Sequence, residues 1–125
     1  MLAPVRSLAQ ATGAIVPLQD AGWLFWPDDP GRRYRLWFLR PRAEARTHHL
    51  QVIQHDDPHA GALLAFRDAL RAEPGLRGRY ADLKQQLAVQ HPDNRNAYTN
   101  AKNEFVASVL QSVGIDPPAR RRLPE

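Results

Sequence analysis

The residues best suited to chemistry cluster at Arg46-Thr47-His48-His49-Leu50-Gln51. Imidazole titrates close to neutrality, so either histidine could shuttle a proton, bind a phosphate or ligate a metal with a distant carboxylate. The run ends in the β-rich Val52-Ile53 and reads as a strand. Strand alternation puts Arg46, His48, Leu50 and Val52 on one face, and Thr47, His49, Gln51 and Ile53 on the other. Adjacent strand residues point apart, so the two histidines cannot chelate one ion together. On the residues alone, the favoured reading packs one histidine under the helices and leaves the other in solvent.

Two acidic turns come next. His55-Asp56-Asp57-Pro58-His59 holds four potential ligands in five residues, and its Asp oxygens suit a hard cation such as magnesium or calcium, without a recognised ligand spacing. It reads as a solvated turn, as does Asp28-Asp29 between Pro27 and Pro30. Farther along, Arg67, Arg71, Lys84, Arg95 and Lys102 are interleaved with Tyr80 and Tyr98. Arg67 and Arg71 share a helix face by their spacing, as do Tyr98 and Lys102. Turned to one cleft, these cations make a phosphate-binding surface. Turned outward, they are solvated faces with weak local pairs to Asp68 and Asp82, and the residues alone favour this. No glycine-rich phosphate loop or Gly-x-Ser-x-Gly elbow occurs. No strand carries carboxylates one residue apart, as two-metal phosphoryl transfer wants. A self-contained enzyme is hard to build from this set.

The elements that must hold these residues follow from composition and period. The chain has 125 residues, 43% hydrophobic and 24% charged, which suits one domain. No apolar run approaches the roughly 20 residues a bilayer span needs, so no membrane partner is expected. There is no cysteine, which removes disulfides, thiolate chemistry and cysteine-ligated zinc and suits a cytoplasmic protein. The net charge is +4, but Arg120, Arg121 and Arg122 supply most of it from the end of the chain. The other basic residues are dispersed, so a nucleic-acid partner is not expected.

A helix is predicted from about Ser7 to Gln19, with Ser7 as N-cap. An extended aromatic segment follows over Gly22 to Trp26, then a turn over Pro27 to Gly31. Strands are predicted over Arg33–Leu39 and Arg46–Ile53, paired antiparallel across a short loop. The period then changes to that of helices. One runs from about His59 to Ala72 and is stopped by Pro74-Gly75; a second runs from Leu76 to Gln90. A third carries Tyr98, Ala101, Phe105, Val109 and Val113 and ends at Gly114. Residues 115–125 read as a flexible tail rich in proline and arginine. The fold class is α+β: a small antiparallel or mixed sheet of about three strands covered by helices, over residues 1–114. So thin a sheet has an exposed edge, and a second copy or a partner chain is expected to cover it.

Four ordered motifs carry a family resemblance. They are Arg46-Thr47-His48-His49-Leu50-x-Val52, then Ala65-Phe66-Arg67-Asp68-x-Leu70-Arg71-x-x-Pro74, then Tyr80-x-x-Leu83-Lys84, and Tyr98-Thr99-x-Ala101-Lys102. In this order they resemble the GrpB family, a branch of the nucleotidyltransferase superfamily, across residues 5–113. The resemblance implies a nucleotidyltransferase-like fold. It also implies candidate cleft residues at His48, His49, Arg67, Arg71, Tyr80, Lys84, Tyr98 and Lys102, the cations serving triphosphate charge rather than bond-making. The family's Gly-Ser-Thr segment, Lys-Pro pair and Ile-Asp strand do not occur, and Met1 falls where the acidic strand would end. The chain therefore resembles the C-terminal portion of a member. Its catalytic residues are unassigned, and Mg2+ is expected only if the acidic strand is supplied. Gln51 stands where the family often has a histidine, and it cannot titrate. The resemblance implies a nucleotide- or phosphate-binding domain. The alternative it implies is a non-catalytic accessory or interaction domain, as in GrpB-like domains fused to dephospho-coenzyme A kinase.

Overall fold

Bulky apolar residues at alternating positions build the two central strands. In the computed structural model, which describes Met1–Glu125, β3 spans Arg35–Arg40 and β4 spans His48–Gln54. They pair antiparallel, with Leu36 opposite Val52 and Phe38 opposite Leu50. Both lie close to their predicted ranges. Two shorter strands complete a mixed sheet of four in the order β1-β4-β3-β2. β2 is only Leu24–Phe25, antiparallel to β3, so little of the aromatic extended segment pairs. β1, Leu2–Val5, runs parallel to β4 and was not among the expected strands. Pro4 hides it in the sequence. An edge strand tolerates proline, which has no N–H to give to a ladder.

The predicted first helix is broken in three. α1 is Leu8–Ala11, a 3-10 turn covers Thr12–Ala14, and α2 is Ile15–Asp20. Gly13, a poor helix former, sits in the break. Pro17 falls in the first turn of α2, where its missing N–H has no intrahelical partner to lose. Ser7 does cap: its hydroxyl accepts from the Gln10 N–H at 3.3 Å. Gly22, just past the α2 cap at Ala21, has a φ of 87°, the left-handed conformation that closes helices. Leu8, Ala11, Ile15 and Leu18 pack on the sheet face made by Leu36, Phe38 and Val52, with Trp23, Phe25 and Leu50 around them. Leu36 and Phe38 are fully buried. This is the core of the first compact unit, Met1–Gly61.

α3, Pro58–Ala72, leads into the second unit, Ala62–Glu125. There α4, Pro74–Gln90, packs against α5, Arg95–Ser112. The stop expected at Pro74-Gly75 holds, since α3 ends at Ala72, but the next helix starts on Pro74 rather than at Leu76. Proline is favoured at the first helical position, so α4 begins on it, with only Glu73 between the two helices. α5 begins after a cap in which the Asn94 side chain accepts from the Ala97 N–H at 2.9 Å. It ends beside Gly114, at φ 77°. Leu76, Leu87, Ala97, Val109 and Leu110 are buried here. Beyond Gly114 no regular structure forms, as the prolines predict. The composition does not predict that α5 holds this segment: Asn100 and Asn96 hydrogen-bond its backbone. No helix is long and apolar enough to cross a membrane.

Candidate functional site

In the first unit, polar chemistry gathers around Trp37. Arg35 and Trp37 on β3 alternate with the core residues Leu36 and Phe38, and so face away from them. The Arg35 guanidinium lies 4.9 Å from the Trp37 ring centre, and that of Arg46 lies 5.5 Å from it. His49 stacks on the same indole, centroids 5.6 Å apart. Strand alternation had placed Arg46 with His48. Arg46 precedes β4, however, so alternation does not reach it, and the loop brings it to the ring that His49 touches. His48 is exposed, with Nδ1 2.8 Å from the Thr47 hydroxyl.

Asp29 corrects the reading of the first acidic turn. It is 3% exposed, not solvated. Arg35 donates to both its oxygens, from Nε at 2.6 Å and Nη2 at 2.7 Å, and uses Nη1 to reach the Gln51 side-chain oxygen at 2.8 Å. Burial by itself would lower the Arg35 pKa, but the Asp29 hydrogen bonds, with charge from Tyr34 and Asp29, turn the net shift upward. Gln51 therefore orients an arginine.

The second acidic turn is wired internally. Asp57 accepts from the His59 N–H and meets His59 Nδ1, both at 2.8 Å, at the start of α3. The His59 ring stacks on Tyr34 at 3.5 Å. Gln54 donates to Asp56 at 2.9 Å, and this bond, the largest cause, holds the Asp56 carboxyl below its ordinary value. A crevice of about 320 Å³ opens here between Leu8, Arg33, Tyr34, Gln54 and the two aspartates. No three His, Asp or Glu residues gather to share a metal ion. Asp29, Asp56 and Asp57 are already engaged, so this donor set does not fit magnesium, which wants near-octahedral oxygen ligands.

In the second unit, α4 and α5 bring four predicted residues together. Tyr80 packs edge-on to Phe66 at 5.2 Å and stacks on Phe105 at 5.5 Å. Lys84, one turn later, sets its ammonium 4.7 Å from the Tyr80 ring centre. On α5, Lys102 stands 5.5 Å from the ring of Tyr98, one turn before it. Burial raises the Tyr80 pKa, and the charge of Tyr98 adds to it. Burial also lowers the Lys102 pKa, with further lowering from Arg120, Lys84 and Arg95. Those three cations each repel Lys102, and the ion pairs of the chain are made by other basic residues. Arg120 was missed because its segment carried no apolar pattern. The remaining predicted residues lie elsewhere. Arg67 is tied to Asp68 at 2.7 Å, Arg71 is exposed, and His48 and His49 belong to the first unit.

The family model described as GrpB protein matches residues 1–112. A UPF0157 protein of Pseudomonas aeruginosa is 37% identical over 99 residues, covering 77% of this chain and 40% of its own length. The UPF0157 protein YqkA of Bacillus subtilis is 42% identical over 82 residues, covering 66% of this chain and 23% of its own. The chain thus spans less than half the length of these relatives. The crystal structure of conserved protein GrpB from Enterococcus faecalis superposes with a TM-score of 0.72 at 25% identity, covering 90% of this chain and 69% of that one.

Proposed function

The chain belongs to the GrpB family, and on that premise we propose that it binds a nucleotide or other polyphosphate through the cation–aromatic surface of α4 and α5. One observation carries this reading. Lys84, Arg95 and Arg120 act on Lys102 as like charges, none of the four in a carboxylate ion pair, and Lys84 and Lys102 each lie over a tyrosine ring. Like charges held together cost free energy, most of all where burial weakens screening, as at Lys102. A polyphosphate relieves that cost with charge-assisted hydrogen bonds. The cations neutralise phosphate charge and take no part in bond-making. No residue of this chain is assigned a bond-making role.

A second reading, a non-catalytic accessory or interaction domain, is favoured by the engaged state of Asp29, Asp56 and Asp57. A second copy or partner chain pairing with the sheet where it ends, at β1 or β2, fits this role. A chain without cysteine suits the reducing cytoplasm, and we place either role there.

Thermal shift tests the binding reading. A ligand bound only by the folded state raises stability by RT ln(1 + [L]/Kd), about 2.7 kcal/mol at a hundredfold excess over Kd. ATP, GTP and inorganic tripolyphosphate, each with and without magnesium, should raise the melting temperature. Lys84→Gln and Lys102→Gln should each reduce the rise. No shift with any of these ligands would leave the accessory reading in its place.

A further inference from the structure

The segment after Gly114 is held along α5 by amides. Asn96, Asn100 and Asn103 recur at helical spacing and so share one face of α5. Asn100, 5% exposed, reads both polar groups of one peptide unit: Oδ1 accepts from the Leu123 N–H at 3.0 Å, and Nδ2 donates to the Leu123 carbonyl at 2.9 Å. Nδ2 also donates to a Glu125 carboxylate oxygen at 2.9 Å. Asn96 donates to the Pro124 carbonyl at 2.8 Å. Asn103 receives the guanidinium of Arg120 at 3.5 Å.

The contacts to Leu123 and Pro124 recognise backbone, whereas those to Glu125 and Arg120 read side chains. Packing beneath the segment is loose. A cavity of about 260 Å³ lies between the segment and α5, bordered by Val106, Ala107, Leu110, Pro117 and Pro118. A segment fastened by hydrogen bonds over a hollow can dock and release without unfolding the helix that carries it.

Building on the polyphosphate reading above, we infer that residues 117–125 form a strap that completes that site, its docking on Asn100 delivering Arg120 to the cations of α4 and α5. Asn103, which holds the guanidinium, is the immediate neighbour of Lys102 on α5. Arg120 is also the largest charge influence on Lys102. Docking without an anion therefore sets like charges together, opposed by the Asn100 hydrogen bonds. A bound polyphosphate reverses the sign of that term. By linkage, strap and anion each strengthen the binding of the other by one common factor.

Inorganic tripolyphosphate and the whole chain test this. Calorimetry would compare the unaltered protein with Lys102→Gln, Arg120→Gln, Leu123→Pro and the Arg120→Gln/Leu123→Pro double variant. Leu123→Pro removes the N–H that Asn100 accepts and lies outside every helix, so α4 and α5 keep their circular dichroism. Arg120→Gln and Leu123→Pro should each weaken binding about fivefold, the loss of one charge-assisted contact. The double variant should bind no worse than the weaker single, because both changes act through one contact. Saturating tripolyphosphate should slow exchange of the Leu123 amide. If both single variants bind like the unaltered protein while Lys102→Gln does not, the site stands and the strap's part in it is overturned. Losses that simply add in the double variant overturn the coupling. If the unaltered protein fails to bind, the site and the strap's role fall together.

Discussion

Arg35 grips Asp29 at two points, with Nε on Oδ2 at 2.6 Å and Nη2 on Oδ1 at 2.7 Å. The carboxylate is wholly shielded, and the arginine side chain is 17% exposed. This pair fastens the turn before β3 to the strand itself. A buried pair of this geometry contributes little net stability over a well-packed apolar substitute, but losing one partner leaves a charge stranded.

Asp29→Ala should therefore destabilise the first unit by about 3–5 kcal/mol. Urea unfolding followed by tryptophan fluorescence reads the loss, since Trp37 lies beside Arg35. Adding Arg35→Met should restore much of it. A double variant as unstable as Asp29→Ala alone would show that the pair is not the cause.

Gly31 sits inside the same turn. A Cβ there would come within 2.8 Å of Arg35 Nε and 2.9 Å of the Tyr34 ring. Arg35 is pinned by Asp29 and cannot easily yield. Gly31→Ala should cost about 1–3 kcal/mol, the usual penalty of overpacking. In the Asp29→Ala background Arg35 is free to move, and the cost should shrink.

The helix caps differ in what they support. Asn94 caps the 18 residues of α5, whereas Ser7 caps the 4 residues of α1. Asn94→Ala should lower stability by about 1 kcal/mol. Asn94→Asp should retain most of it, because the carboxylate still accepts from Ala97 and favours the positive end of the helix dipole. Thermal melts followed at the helical circular dichroism band distinguish the two.

Strap docking should weaken in acid. The Asn100 hydrogen bond leads the causes that hold the Glu125 carboxyl below its ordinary value, with Arg122 adding to it against desolvation. A carboxyl depressed in the docked state stabilises docking above its undocked pKa. That contribution is lost as pH falls through the docked pKa. Leu123 amide protection should thus decline below the ordinary carboxylate range, once corrected for the intrinsic pH dependence of exchange. Glu125→Gln should remove the decline.

Lys102 gives the opposite alkaline signature. Burial first, then Arg120, Lys84 and Arg95, depress its pKa. Between that depressed value and the ordinary 10.5, the unfolded chain binds more protons than the folded one, so stability rises with pH. Lys102→Met should flatten the rise. Unchanged alkaline stability in Lys102→Met would mean that the ammonium is not held under repulsion.

Much of the architecture was legible before any coordinates. The apolar period separates β3 and β4 from α3, α4 and α5, because alternation and the helical stripe are local properties of the chain. Gly114 marks the end of α5 for the same reason, and Ser7 marks the start of α1. β1 escaped notice because Pro4 reads as a breaker and only its place at the sheet edge makes it harmless. Pro74 marks the end of α3 as read, but that it also opens α4 was not legible, because a stop and a first helical residue are compatible at one proline.

The amino-acid sequence by itself determined the α+β class, the helical spacing of Tyr80 with Lys84 and of Tyr98 with Lys102, and the motifs of the GrpB family. Only the tertiary structure decided which charges are satisfied. Asp29 looked like a solvent turn until β3 brought Arg35 to it, and Arg120 looked like a loose end until Asn100 and Asn103 held its segment to α5. The reason is physical: an element forms from side-chain size and spacing along the chain, whereas the energy of a charge depends on burial and on partners that only the folded path brings near.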